Sequence, residues 1–364
     1  MKDQASLQNI SAQQTGLAIA NNHVPPYMEP ASSTDLSLTS LSELMQQTQE
    51  NLLSAGEFNA EPKSNGCFHC KVMPKGKFKK GVSMLAWAYN EEGLVEIFLN
   101  RAVELLDRNV EDWEIVIVND GSTDRTGEIL NEYAKREPRV RPVHNERNMN
   151  VGASCKRAIK CAKKEYLFWQ TADWSYDISN LRLFLELLNY YDVVQGVRPT
   201  PIRLFSYIPV LRSIYRVKTR SDNFKKAIVS LSNYYILRIL FGAKFQDFQN
   251  VTFYPTKLLQ SVDLKGDSSF LNPECLLRTY EKGARFIEVP IPFIPRTMGE
   301  AKGTKITSIL RSIRDILAGW LKWGWAYRAA LKKFPESRID RVSTPFQLPA
   351  EVATLALPMF KHFK

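Results

Sequence analysis

Two apolar segments that each run into an acidic, small-residue loop constrain this chain more than any other feature. Val82–Trp87 leads into Ala88-Tyr89-Asn90-Glu91-Glu92. Glu114–Val118 leads into Asn119-Asp120-Gly121-Ser122-Thr123-Asp124-Arg125-Thr126. A short, continuous apolar run bounded by turn residues reads as a strand covered on both faces, which is how strands of parallel sheets are built. Open α/β sheets bind ligands beyond the carboxyl ends of their strands. Carboxylates and small residues at those ends therefore mark a pocket fit for a nucleotide.

The surrounding sequence keeps the same rhythm. Glu92–Asp107 has a helical pattern, and Thr126–Arg136 is a second helix with Asp124 in position to cap it. Val140–His144 is a short strand, Val151–Lys163 a helix and Glu165–Trp169 a further strand. Strands alternating with helices predict an α/β fold with a mostly parallel sheet flanked by helices. Residues 199–226 break the alternation with arginines, lysines, prolines and aromatics.

Charge divides the chain. Residues 1–62 hold one basic residue, Lys2, and seven acids, a net of −6 that leaves +17 on residues 63–364. The first segment is rich in Gln, Asn, Ser and Ala, with one short helix expected at Ser40–Leu53. It reads as a disordered acidic tail followed by a basic linker to residue 80. A surplus of +17 seeks phosphate: nucleic acid, anionic lipid or a phosphorylated substrate. No nucleic-acid module is recognisable, so no nucleic-acid partner is expected. Five cysteines, an odd number, fit a reducing compartment. No apolar run reaches the length of a membrane span, and the N-terminus lacks a signal-peptide pattern. Cys67-Phe68-His69-Cys70 lacks the second ligand pair a structural zinc site needs.

The two strand-to-loop segments together resemble the donor-binding half of family-2 glycosyltransferases, which have the GT-A fold. Further blocks follow in the family's order over residues 82–305: Asn148-Met149-Asn150-Val151-Gly152, Gln170-Thr171-Ala172-Asp173-Trp174-Ser175-Tyr176-Asp177, the Gly196-Val197-Arg198 strand end, Asp247-Phe248-Gln249-Asn250, Asn272-Pro273-Glu274 and Arg296-Thr297-Met298-Gly299-Glu300-Ala301-Lys302. The later blocks are similar to dolichyl-phosphate mannose synthases and related polyprenyl-phosphate glycosyltransferases. The resemblance implies a GT-A domain over 81–305. It also implies a nucleotide-sugar (UDP- or GDP-) donor bound by Ala88, Tyr89, Asn90, Glu91, Asp120, Ser122, Asn150, Gly152 and Ala172. Gly152 would let the chain pack closely under the diphosphate.

Mg²⁺ or Mn²⁺ is implied at the family's Asp-x-Asp position. Here Thr171 replaces the first acid and Asp173 is the metal ligand, with Ser175 or Asp177 as helpers. The acceptor implied is a polyprenyl phosphate. Arg198, Lys225, Lys302 and the catalytic Arg296 would grip its phosphate and the leaving diphosphate. Asp247 and Glu274 would orient the sugar or the basic residues, or serve as base if the acceptor were a hydroxyl. The alternatives are a hydroxyl acceptor on a glycan, lipid or protein, and a degenerate scaffold subunit.

Residues 306–364 form a third region. Ile306, Ile309, Leu310, Ile313, Ile316, Leu317, Trp320 and Leu321 recur at spacings of three and four, with Arg311, Arg314, Lys322 and Arg328 mainly elsewhere. An apolar stripe, basic residues and tryptophans fit a helix lying in a membrane interface. The alternative is a helix packed on its own domain or on a second copy of the chain. The expected location is cytoplasmic, peripheral on the inner face of a membrane.

Overall fold

The computed structural model describes residues 76–174, 176–197, 224–291, 306–334, 338–342, 347–349, 352–353 and 355–356, all within the compact unit Gly66–Lys364. The expected helix at Ser40–Leu53, the cysteine-histidine cluster at 67–70 and the basic-aromatic run at 199–220 lie outside the described residues.

The two leading strands form as their composition demands. β1 (Val82–Ala88) and β2 (Trp113–Asn119) are buried almost throughout and pair in parallel from Val82↔Trp113 to Ala88↔Asn119. That register brings both acidic loops to one edge. β3 (Val140–His144) adds to the outer side of β2, and β4 (Tyr166–Trp169) to the other side of β1. Helices α1 (Val95–Asn109), α2 (Thr126–Arg136) and α3 (Asn150–Cys161) make the crossovers that parallel pairing requires.

The second half departs from strict alternation. After α4 (Leu181–Leu187), β5 (Val193–Val197) and α5 (Phe224–Phe241), strand β6 (Thr252–Pro255) runs antiparallel to both its neighbours, β4 and β5. Being reversed, β6 brings its entry segment, residues 247–251, to the edge where the parallel strands exit. α6 (Thr256–Gln260), α7 (Leu271–Glu281) and β7 (Phe286–Pro290) follow. The sheet closes with β8 (Ile339–Arg341), parallel to β7, in the order β3-β2-β1-β4-β6-β5-β7-β8. The α/β, mostly parallel architecture expected from the sequence is present. The reversed β6 and the late strand β8 are additions to it.

Alternate side chains of the buried strands serve two cores. Met84, Ala86, Ile115, Ile117, Phe168 and Phe253 pack with α1 and α4, including Phe98, Leu99, Leu181 and Phe184. Leu85, Val116, Val118, Leu167, Trp169 and Tyr254 pack on the opposite layer with α3, α5 and α7. Cys155 and Cys275 are free, buried members of this second core, and burial pushes both thiols up.

The C-terminal segment divides its apolar residues between the core and the surface. It is α8 (Ile306–Gly319), a π-helical turn (Trp320–Gly324) and α9 (Trp325–Lys333). Its apolar residues do not form a single stripe with one partner. Ile316, Trp323 and Tyr327 belong to the second core, where Trp323 lies 5.0 Å from Phe241 and stacks on Phe270 at 6.3 Å between ring centroids. Leu310, Ile313, Leu317, Trp320, Leu321 and Trp325 are exposed. Periodicity finds apolar faces but does not say which of two will meet the protein. The helix is thus built into the fold. Trp323→Ala is expected to lower the free energy of unfolding by about 3–5 kcal/mol. Denaturant titration measures this, and a loss below about 1 kcal/mol would mean that the segment is merely apposed.

Candidate donor site

The site starts from the paired ends of β1 and β2. Asp120 N–H donates to the Ala88 carbonyl (2.9 Å), carrying the ladder one residue beyond the strands. The two loops that follow are laced crosswise. Asn90 sits at φ +50°, a left-handed conformation that Asn tolerates better than most residues. There its N–H donates to Ser122 Oγ (3.1 Å) and its Oδ1 accepts from Thr123 N–H (2.9 Å). Glu91 N–H donates to Thr126 Oγ1 (2.9 Å), and Glu92 N–H to Asp124 Oδ2 (3.1 Å). In return Arg125 N–H donates to Glu92 Oε2 (3.1 Å). Asp124 also accepts from Thr126 N–H (3.0 Å), but it precedes the N-cap position, which Arg125 occupies with no side-chain cap bond, so the cap expected of Asp124 is not formed. The backbone of Glu91 is fixed further, because its carbonyl accepts from Leu94 and Val95.

Asp120 is the hub. It is buried, and its Oδ1 accepts from Asn145 Nδ2 (2.7 Å), Met149 N–H (2.8 Å) and Ser154 Oγ (2.8 Å). The 145–149 loop and the first turn of α3 are thereby drawn to the end of β2. Gly121 makes this approach possible. Its φ is +69°, and a Cβ there would stand 2.3 Å from the Arg147 carbonyl carbon. Asn119 extends the scaffold: its Oδ1 accepts from Ser122 N–H (3.1 Å), and its Nδ2 meets His144 Nδ1 (3.1 Å). His144 Nε2 lies 2.9 Å from Asn131 Oδ1. Both ring nitrogens are used, so His144 is a structural histidine.

The Asp173 segment joins the same edge. β4 aligns Trp169 with Leu85, and Gln170 N–H donates to the Leu85 carbonyl (3.0 Å). The chain then turns, with Trp174 N–H donating to the Thr171 carbonyl (2.9 Å), so that Ala172 and Asp173 form the tip. Thr171, Ala172 and Asp173 are half-buried. Trp174 is held at φ +53°, a strained state for a bulky residue that persists only where the surroundings enforce it. Its ring packs edge-on to Phe98 (5.6 Å) beneath the Arg101 guanidinium (4.2 Å). The tryptophan nails the turn to α1 and so fixes where Asp173 stands. Asp177 is used locally, accepting from Ser179 N–H (3.0 Å), and Ser175 lies outside the described residues.

Among the described residues no group of three or more His, Cys, Asp or Glu side chains could hold a metal ion. One carboxylate beside a hydroxyl, Asp173 with Thr171, fits an ion that arrives with a diphosphate. Mg²⁺ is commonly held by one or two carboxylates together with substrate phosphates.

Several expected site residues occupy other positions. Gly152 is not open to a diphosphate: its N–H donates to the Asp267 carbonyl (3.3 Å), and a Cβ would fall 2.3 Å from the Asp267 carbonyl carbon. This glycine serves the packing of α3 on the 265–269 turn. Asn150, at φ +70°, uses its carboxamide oxygen to accept from Arg311 of α8 (2.7 Å). Glu274 is buried, its two carboxylate oxygens accepting from Lys265 N–H (3.0 Å) and Gly266 N–H (2.7 Å). Burial pushes its carboxyl up, against the pull of those two N–H groups. Glu274 braces a turn. Asp247 lies on the entry to β6, its carbonyl accepting from Gln195 Nε2 (2.6 Å) and its carboxylate from Gln249 N–H (3.0 Å). Arg198, Arg296, Lys302 and the side chain of Lys225 lie outside the described residues. Sequence reasoning missed Asn145, Ser154, Trp174 and Arg311. Each is tied to the site by a contact that crosses elements and leaves no local pattern.

Residues 83–241 match the family model described as Glycosyl transferase family 2. That segment is a glycosyltransferase family 2 domain. Among its curated relatives, a glycosyltransferase (AglD) of Haloferax volcanii is 24% identical over 246 residues, 66% of this chain and 37% of the relative. A dolichyl-phosphate beta-glucosyltransferase of Trichomonas vaginalis is 32% identical over 167 residues, 40% of this chain and 52% of the relative. The chain thus spans between about a third and a half of these relatives' length. Glucosyl-3-phosphoglycerate synthase from Mycobacterium tuberculosis, solved with uridine diphosphate, is 14% identical with a TM-score of 0.46, over 66% of this chain and 80% of that one.

Asp120→Ala would strip one buried acceptor from three donors, each costing about 1–3 kcal/mol when left unmade. The family-2 domain carrying it is expected to unfold at markedly lower denaturant, with Asp120→Asn intermediate. Equal midpoints for Asp120→Ala and the parent would refute the hub role.

Proposed function

We propose that this protein transfers a sugar from a nucleotide-diphosphate donor to a polyprenyl phosphate at the cytosolic face of a membrane. The observation that carries the reading is the laced pair of loops at the ends of β1 and β2, with the Asp173 turn beside them at one sheet edge. Glu91 and Asp120 are the acids nearest the nucleoside in this reading, with Tyr89, Asn90 and Ser122 around it. Asp173 faces the diphosphate, where Mg²⁺ or Mn²⁺ would neutralise the charge of the leaving group.

A phosphate oxygen of the lipid attacks the anomeric carbon as the bond from that carbon to the nucleoside diphosphate breaks, inverting the centre in one displacement. A lipid phosphate is already ionised at neutral pH and needs no base. The engagement of both Glu274 oxygens by backbone N–H groups weighs against Glu274 as the base that a hydroxyl acceptor would need. Relatives named dolichyl-phosphate beta-glucosyltransferase point to the same acceptor class. Arg198, Lys225, Arg296 and Lys302 are the cations proposed to hold the two phosphate groups.

The membrane part of the proposal rests on the C-terminal helices. Residues 306–334 contain six basic side chains and one acid, Asp315, which is buried and paired with Arg314. Leu310 (60% exposed), Leu321 (71%) and Trp325 (71%) stand out from this segment, and Ile239 (70%) from α5. Exposed apolar side chains among cations suit an anionic lipid surface. Among the described residues no helix is long and apolar enough to cross a membrane.

The test is a donor screen: the full chain with UDP- and GDP-sugars, with and without polyprenyl phosphate and Mn²⁺, scored by released nucleoside diphosphate. Release is expected only with the lipid phosphate, and Asp173→Ala should reduce it at least 100-fold, about 2.7 kcal/mol of transition-state stabilisation. Release without the lipid but with a glycan acceptor would favour hydroxyl transfer. Neither release nor nucleotide binding would leave a scaffold role.

A further inference from the structure

The C-terminal helix that carries the exposed apolar face also grips the donor site. On α8, Arg311 Nη1 donates to Asn150 Oδ1 (2.7 Å), and Asn150 directly follows Met149, whose N–H is held by Asp120. One turn on, Asp315 Oδ2 accepts from Asp267 N–H and Ser268 N–H, both at 3.0 Å. Between them Ser312 Oγ lies 2.9 Å from Ser269 Oγ. The 267–269 turn is in turn fastened to α3, by Lys156 to the Asp267 carboxylate (2.5 Å) and by the Gly152 N–H. Residues 311, 312 and 315 therefore hold the two segments that border α3. Residues 310, 313 and 317 of the same helix are exposed, the last two lining an apolar groove with Ile236, Ile239 and Leu240 of α5. A helix anchored on one side cannot be reseated on the other without moving what it holds, because close-packed elements transmit displacement.

We propose that Arg311 is a positioning residue of the donor site, through which seating of α8 on a lipid surface orders the Asn150 corner and tightens nucleotide binding. This rests on the donor-site and membrane reading above. Arg311 touches neither donor nor acceptor in it. It acts through Asn150, Met149 and Asp120. The coupling is reciprocal by linkage: whatever factor the lipid surface adds to nucleotide affinity, nucleotide adds to lipid affinity. The guanidinium suits the task because it is always charged and its planar fork fixes the direction of the bond it donates.

The experiment measures UDP and GDP affinity of the full chain by calorimetry, in buffer and with vesicles of phosphatidylcholine and phosphatidylglycerol lacking any polyprenyl phosphate. Vesicle sedimentation with and without nucleotide is scored in parallel. The parent is expected to bind one nucleotide about 5–50-fold tighter on vesicles, within the usual span of coupling between sites. Arg311→Met should lose most of that gain while still sedimenting with vesicles, and Arg311→Lys should restore part of it. Asn150→Gly, which keeps the left-handed backbone accessible but removes the carboxamide, should behave like Arg311→Met. A merely structural Arg311 would lower the melting temperature without changing the ratio of the two affinities. Equal affinity with and without vesicles in the parent, or an undiminished gain in Arg311→Met, would overturn the coupling and leave the donor site standing. Failure of either nucleotide to bind under any condition would overturn both.

Discussion

A single buried carboxylate organises the site end of this protein. Asp120 stands one residue past β2 and gathers Asn145, Met149 and Ser154 from a loop and a helix that would otherwise have no reason to meet. A buried acid costs several kcal/mol unless its oxygens are met by donors, so the loop closes on it or the strand end does not stay buried. Gly121 removes the steric bar to that closure, and the β1–β2 register delivers Asn90 and Glu91 to the opposite wall. Asp120 is thus first a structural device. The donor contact proposed for it rests on where that device leaves it.

The same economy runs through the neighbouring carboxylates. Glu274 and Asp315 both spend oxygens on backbone N–H groups of the 265–268 stretch, and Asp247 accepts from its own loop. These acids act as clamps on turns. Among the turns at the sheet edge, the one carrying Asp173 is the one held by an aromatic ring, since Trp174 is wedged against Phe98 under Arg101. Such a turn is placed by packing.

Much of the first half was readable from residue order. β2 and α2 were legible nearly to the residue because a strand covered on both faces must be apolar throughout, and a helix beside such a strand shows its own period; β3 was legible in its bounds although it is a half-buried edge strand. The reversed β6 was not legible. A buried antiparallel strand in a mixed sheet looks the same as a parallel one, since burial sets its composition and direction does not. Strand β8 is short, and only its pairing with β7 makes it a strand. Gly152 shows the limit for site residues. A glycine opening a helix beside a nucleotide motif fits close approach to a phosphate, yet the space beside it holds the Asp267 backbone.

The sequence by itself determined the α/β class, the edge of the sheet where the acids collect, and the family-2 character of residues 83–241. These depend on composition and spacing within short segments, which persist in the unfolded chain. Tertiary structure alone decided which acids are committed to backbone, which face of the C-terminal helix is buried, and that Arg311 reaches Asn150 across 161 residues. Those outcomes depend on what lies opposite each side chain after folding, and nothing local to either partner encodes it.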